Sequence, residues 1–431
     1  MAQRGIREYD GKRLLAEFWT EYMGDVPAYS GRMVLVTPEV KLGGLEQEHG
    51  WLAEGKLVVK PDQLFGKRGK HGLVKVAEGI DEARQWIAQR MNGEVTVGTV
   101  RDKLTHFLIE PFVPHEAEYY VAIKSERRGD TIYFSTHGGV DIEEVWDTVA
   151  AIHVGAAENI DAVNMGSRLP ADTPAGQREL LAAFAKGLMR FYRGLGFTYL
   201  EINPFVVAEG RVVPLDLVAR IDDTARFEYG SLWGDLRFPA PFGRKLIEEE
   251  EYIKGMDERT GASLKLTLLN PRGRVWTLVA GGGASVVYAD TIVDLGYGEE
   301  LANYGEYSGN PSTGETYEYA KTVLDLMTRE RDPQGRTKVL LIGGGIANFT
   351  DVAKTFTGIT MALRECKAAL QESKVKVFVR RGGPNYQEGL RMIKELGQEL
   401  GVPVEVYGPE MHMTRIVNLA LEGGRDGQQV N

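Results

Sequence analysis

Val339-Leu340-Leu341-Ile342-Gly343-Gly344-Gly345 decides how the second half of the chain folds. An apolar run of strand length stops at three glycines, and a helical pattern begins near Thr350. The same unit recurs on either side. Val275–Val279 runs into Ala280-Gly281-Gly282-Gly283, with a helix pattern from Ser285. Val375–Val379 runs into Arg380-Arg381-Gly382-Gly383, with a helix near Asn385. Val404-Glu405-Val406 runs into Tyr407-Gly408-Pro409, with a last helix from Met411. Strand, glycine turn and helix in repetition predict an open parallel sheet, and ligands bind such sheets at the carboxyl ends of the strands. The glycine turns lie at those ends.

The first half has a different texture. Leu57–Lys60 reads as a strand stopped by Pro61, and Phe107–Val113 as another ended by prolines. Tyr119–Ile123 and Asp130–Ser135 flank the turn Arg127-Arg128-Gly129 as a hairpin. Pro174–Tyr192 has helical spacing of Leu180, Leu181, Phe184, Leu188 and Phe191, stopped by Gly194. Phe197–Asn203 and Val212–Ala219 read as strands joined through Glu209-Gly210. This is α+β patterning with antiparallel pairs. A boundary follows between Arg226 and Glu251, where the acidic run Glu248–Glu251 reads as a solvated helix start.

The chain has 431 residues, long enough for two or three domains, with 43% hydrophobic and 26% charged residues as in soluble globular proteins. A formal charge of −10 argues against nucleic acid or an anionic membrane as the main partner. One cysteine, Cys366, excludes an intrachain disulfide framework and a thiolate zinc cluster, which favours the cytoplasm. No apolar run has the length of a membrane span, and Met1–Trp19 lacks the apolar core of a signal peptide. Glycine is in excess at 52 residues, so backbone is brought close to something at a few loops.

Several loops carry candidate chemistry. Lys60 lies at a strand end, suited to a fixed phosphate contact. Gly66-Lys67-Arg68-Gly69-Lys70-His71-Gly72 reads either as a mobile cationic flap over a triphosphate or as a solvated basic turn. Alternation places Glu201 and Asn203 on one face, and the Glu209-Gly210 hairpin brings Asp216 opposite them, a set of hard oxygens suited to Mg²⁺; a hydrogen-bonded turn is the alternative. Asp257-Glu258-Arg259-Thr260-Gly261-Ala262 is either a second cation loop or a plain turn. Asn348 and Thr350 lie between a glycine triplet and a helix start, Arg381 leaves the next strand end, and Ser308-Gly309-Asn310-Pro311 forms a tight loop. Together they suit a polycarboxylate. His137 before Gly138-Gly139 reads as a hydrogen-bonded loop residue. No Walker A loop occurs, and Gly281–Val286 is a weak dinucleotide signal.

These residues, with Thr198–Pro204, Gly261–Pro271, Glu300–Gly309, Ile346–Thr350 and Phe378–Gly389, resemble the amino-terminal part of ATP-citrate lyase nearly end to end. The chain is similar to the small subunit of a two-subunit form, since it stops where the single-chain enzyme continues. The resemblance implies an ATP-grasp domain over 1–240, with a flap subdomain at about 20–100. A flavodoxin-like, citrate-binding domain over 241–431 would follow, as in the β subunit of succinyl-CoA synthetase. It implies Lys60, Arg68, Gly69, Pro111, Val113, Glu118 and Asp216 at ATP, and Asn203 and Asp216 at Mg²⁺. Asp257, Thr260 and Ala262 would form a second cation site. Gly309, Asn348, Phe349, Thr350 and Arg381 would hold citrate, with Cys366 standing at the pocket edge where relatives carry tyrosine.

The family's phosphorylated histidine lies in a Gly-His-Ala-Gly setting absent here. No catalytic residue is therefore expected in this chain. A large partner subunit would carry that histidine, most of the coenzyme A contacts and the citryl-CoA lyase module, in a hetero-oligomer. A citryl-CoA synthetase small subunit, a succinyl-CoA synthetase β subunit and a non-catalytic citrate-binding scaffold are the alternatives.

Overall fold

The 12-residue strand Phe197–Ala208 is the spine of the first half in this computed structural model, which describes residues 3–139 and 146–423. Its neighbours are Leu217–Asp222 on one side and Tyr119–Glu126 on the other, and the antiparallel sheet is completed by Gln3–Ile6, Gly129–Ser135 and Ala150–Gly155. The expected Val212–Ala219 strand is instead two strands, Arg211–Pro214 and Leu217–Asp222. Leu215 N and Asp216 N both donate to Pro204 O, at 3.0 and 3.3 Å, so the chain pinches inward there. That pinch holds Asp216 beside Asn203, whose N–H donates to Asp216 O at 3.1 Å.

Helix Arg178–Gly194 covers one face of the sheet with Leu181, Phe184, Leu188, Phe191 and Tyr192, all buried. It starts four residues later than its periodicity suggests, because Gln177 N closes a turn on Pro174 O at 2.9 Å. A second antiparallel sheet, Val34–Val36, Phe107–Pro111, Leu57–Pro61 and Lys75–Ala77, has its own core under helix Ile80–Arg90.

A boundary at Lys245/Leu246 separates this unit from the next. There, Val275–Ala280, Val339–Gly344, Lys376–Arg380 and Val404–Tyr407 form the expected parallel sheet in that order. Every residue of Val339–Gly344 is buried. The helices after these strands begin at Gly282, Val352, Tyr386 and Arg415, and Asp351 caps the second by accepting from Lys354 N at 3.0 Å. A two-stranded ribbon, Ser263–Leu268 with Asn303–Ser308, and a helix, Thr313–Arg329, were not legible from the patterns above. In the acidic run Glu248 and Glu251 are exposed, but Glu250 is buried, accepting from Leu268 N at 2.7 Å and Ile247 N at 3.2 Å. The solvated reading fails for that residue because it fastens the helix to the ribbon. No described helix is long and apolar enough to cross a membrane.

Arg380 ties the strand ends together. Its Nε donates to Met411 O at 3.0 Å, Nη1 to Gly344 O at 3.0 Å and Nη2 to Pro409 O at 3.2 Å. Arg380→Met would strand three carbonyls in a dry place. We expect it to destabilise this unit by about 3–5 kcal/mol in urea unfolding.

Candidate functional site

In the first unit, the strand end at Lys60, the turn after it, the Pro111 strand end and the Asn203/Asp216 pinch enclose a cleft of about 730 Å³. That volume suits a small-molecule ligand. Lys60, Arg68, Gly69, Pro111, Val113, Glu118, Asn203 and Asp216 all line it, as do Phe65, Tyr120 and Tyr199. Phosphate-seeking cations and aromatic surface thus share one cavity.

Arg68 is buried rather than part of a solvated basic turn. Only 6% exposed, it donates from Nη1 to Pro61 O at 2.9 Å, and its Nη2 is 2.6 Å from Glu8 Oε2 and hydrogen-bonded to Asp216 Oδ1. The turn itself is closed by His71 N to Lys67 O and Leu73 N to Arg68 O. Two acceptors, Pro61 O and Asp216, together with the Glu8 charge outweigh solvation of the guanidinium, and the glycines let the turn fold inward around it. Burial works against charge on Arg68, but Asp216 and Glu8 raise its pKa above the ordinary value.

Lys60 Nζ lies 2.6 Å from Glu8 Oε1 and 3.1 Å from Glu110 Oε2, and donates to Leu215 O at 2.5 Å. Burial alone would raise the Glu8 pKa; Lys12, Lys60 and Arg68 instead hold it well below the carboxylate range. Asp62, buried beside Glu8, is pushed up to about 6 by desolvation and that neighbouring charge. Glu8, Lys12, Asp62 and Glu110 were not singled out from sequence. Two signals pointed to all of them but Asp62. Glu8, Gly11, Lys12 and Leu15 share one helix face, and Glu110 interrupts an apolar strand.

Asn203 is oriented by Gly139, accepting from its N–H at 2.7 Å and donating to its carbonyl at 3.2 Å. Arg68 bonds Asp216 at Oδ1, which leaves the carboxylate able to meet a cation as well. Among the described residues no cluster of three or more His, Cys, Asp or Glu forms a protein-only metal cage. One carboxylate, one amide oxygen and incoming phosphate oxygens are a fitting set for Mg²⁺.

In the second unit Arg381 is 3% exposed, donates from Nη1 to Gly345 O at 2.7 Å, and has a buried Nε without a partner. Among the described residues neither Arg381 nor Arg380 is paired with a carboxylate. Burial lowers the Arg381 pKa. Ala347 N donates to Gly382 O at 2.9 Å, which fixes the Asn348–Thr350 turn beside the Arg381 strand end. Asn348 and Phe349 are exposed and Thr350 half-buried. Thr313 Oγ1 donates to Lys354 O at 3.4 Å, bringing the Gly309 loop to the same helix start. Gly309 has φ +74°, and a Cβ there would meet Ser263 N at 3.2 Å, so the loop needs glycine. The buried tyrosines Tyr288 and Tyr307 also face Arg381.

Cys366, expected at the edge of this group, and Asp257, expected at a second cation site, have other surroundings. Cys366 lies beyond the far end of the 14-residue helix Val352–Glu365, about 21 Å from its start at 1.5 Å per residue. Its thiol faces Asp325 Oδ1 at 3.8 Å, and burial pushes it up to about 11. Asp257 accepts from Leu264 N at 2.8 Å and is paired with Lys265, so a cation at the Thr260–Ala262 loop would have to displace that lysine. His137 sits exposed near Asp172, outside the cleft lining.

Residues 2–233 match the ATP-citrate synthase ATP-grasp domain family, and residues 244–423 match the ATP citrate lyase citrate-binding family. ATP-citrate synthase of Mus musculus is 51% identical over 425 residues, covering 98% of this chain but 38% of the mouse protein. ATP-citrate synthase alpha chain protein 2 of Oryza sativa subsp. japonica is 49% identical, covering 98% of this chain and 99% of its own length. A solved ATP citrate lyase from Methanothrix soehngenii, in complex with citrate and coenzyme A, superposes with TM-score 0.90 at 56% identity, covering 98% and 100% of the two chains. The chain thus spans little over a third of the mammalian relatives it matches.

Proposed function

The chain belongs to the ATP-citrate lyase family, and on that premise we propose that it supplies the Mg-ATP and citrate sites of a citrate-cleaving complex. A large partner subunit would contribute the phosphorylated histidine, most of the coenzyme A contacts and the citryl-CoA lyase module. The observation that carries this reading is the contrast between two anion-binding centres. The first unit has Lys60 and Arg68 at a roomy cleft with hard oxygens opposite. The second has a buried guanidinium, Arg381, with no carboxylate partner among the described residues.

In the first unit Gly69, Pro111, Val113 and Glu118 border the nucleotide while Lys60 and Arg68 neutralise its phosphates. Asn203 and Asp216 would hold Mg²⁺, which supplies further charge neutralisation when bound. The γ-phosphoryl passes from ATP to a ring nitrogen of the partner's histidine and ADP leaves. Transfer to a citrate carboxylate then gives citryl phosphate and frees the histidine. Gly309, Asn348, Phe349, Thr350 and Arg381 hold citrate for that step. The coenzyme A thiol displaces phosphate, and the partner cleaves citryl-CoA to acetyl-CoA and oxaloacetate. We place the protein in the cytoplasm, in keeping with its single cysteine.

The test is co-purification with the partner followed by an assay for oxaloacetate that depends on ATP, coenzyme A and citrate. Accumulation of citryl-CoA without oxaloacetate would make this a citryl-CoA synthetase subunit. Turnover of succinate in place of citrate would overturn the substrate assignment.

A further inference from the structure

Four charges form a closed ring beneath the cleft. Glu8 Oε1 lies 2.8 Å from Lys12 Nζ and 2.6 Å from Lys60 Nζ. Glu110 completes the ring, with Oε1 2.6 Å from Lys12 and Oε2 3.1 Å from Lys60. Leu215 O accepts from both ammonium groups, at 2.5 Å from Lys60 and 3.1 Å from Lys12. Glu8 extends the ring, because its Oε2 is 2.6 Å from Arg68 Nη2. One carboxylate therefore touches three cations.

Glu8 and Lys12 do not line the cleft, whereas Lys60, Arg68 and Glu110 do. Glu8 is itself fixed at its helix start, where Asp62 accepts from Glu8 N at 2.9 Å and from Tyr9 N at 3.1 Å. The two cleft-facing cations come from a strand end and a turn, and nothing else among the described residues grips both side chains. We propose that Glu8 is a positioning residue for phosphate binding: it sets Lys60 and Arg68 at a fixed separation before the nucleotide arrives. The proposal rests on the reading of the cleft as the ATP site.

The chemistry favours this over a purely structural role. A lysine is a mobile point charge on a flexible stem, and its usefulness to a polyphosphate depends on being held. Lys60 Nζ donates to Glu8 Oε1 and Leu215 O and is paired with Glu110 at 3.1 Å, so the ammonium is held on three sides and can exchange one contact for a phosphate oxygen. Stability alone would be served as well by apolar residues in a dry ring.

The experiment is calorimetry on the full chain, with Mg-ATP, AMP and citrate as separate titrants. Glu8→Gln is expected to weaken Mg-ATP at least tenfold while AMP and citrate stay within twofold. Glu8→Asp, which restores the charge on a shorter stem, is expected to recover part of that loss. Wild-type Mg-ATP affinity in Glu8→Gln would overturn the proposal, as would an equal loss of AMP, which marks a collapsed cleft. If Glu8→Gln does not fold, Glu8→Asp decides: a selective Mg-ATP loss supports the role and unchanged Mg-ATP binding removes it. Failure of the ATP-site reading looks different, because the wild-type chain would then not bind Mg-ATP, or Lys60→Ala would bind it normally.

Discussion

Asp216→Ala is expected to lower ATP-dependent phosphorylation of the partner's histidine by about 10²–10³-fold, while citrate affinity stays within twofold. Two losses act together. The Mg²⁺ proposed at the Asn203/Asp216 pair would lose its one acidic ligand. Arg68 loses one of its two carboxylates and pivots on Glu8, so its Nη2 no longer holds a fixed place over the phosphates. Asp216→Asn keeps the shape and separates the charge from the packing; it should retain the fold and lose most of the rate. Citrate titration reports on the second unit, whose core is its own. Phosphorylation at the wild-type rate in Asp216→Ala would remove the metal assignment, and a matching loss of citrate binding would mean general unfolding.

The parallel sheet was legible because each apolar run ends in glycines and is followed by helical spacing, information carried within about 20 residues. The pairing of Asn203 with Asp216 was legible for a similar reason: the Glu209-Gly210 turn sets the register between neighbours. What the patterns missed is assembled at long range. Lys12 meets Glu110 98 positions away and Leu215 203 positions away, and no local period encodes such contacts. Arg68 illustrates the limit most clearly. In a Gly/Lys/Arg stretch it has the composition of a solvated turn, and only acceptors from Pro61 and Asp216 with the charge of Glu8 make it a buried cation. Cys366 was associated with the citrate residues by sequence matching, yet it lies at the opposite end of helix Val352–Glu365 from the turn that carries Asn348. Glu250 shows the converse, a charge run whose third member is a buried fastener.

Arg381→Met should behave unlike Arg380→Met, although the two residues are adjacent and equally buried. Arg380 spends its guanidinium on three carbonyls, so its removal damages the fold. Arg381 makes one such bond and keeps a buried Nε unpartnered, with no carboxylate among the described residues to balance its charge. A buried cation in that state is a liability to the free protein, and replacing it with an apolar side chain is expected to leave the melting temperature without citrate unchanged or raised. Binding should suffer instead. Losing a desolvated, charge-assisted contact to a carboxylate costs about 2–4 kcal/mol, or on the order of 10²-fold in citrate affinity. The citrate-induced rise in melting temperature should vanish with it, since that rise follows occupancy. Phosphorylation of the partner's histidine by ATP should continue, because Lys60, Arg68 and Asp216 are untouched. An Arg381→Met protein that melts well below wild type without citrate would make Arg381 a structural residue like its neighbour. One that binds citrate normally would move the substrate elsewhere.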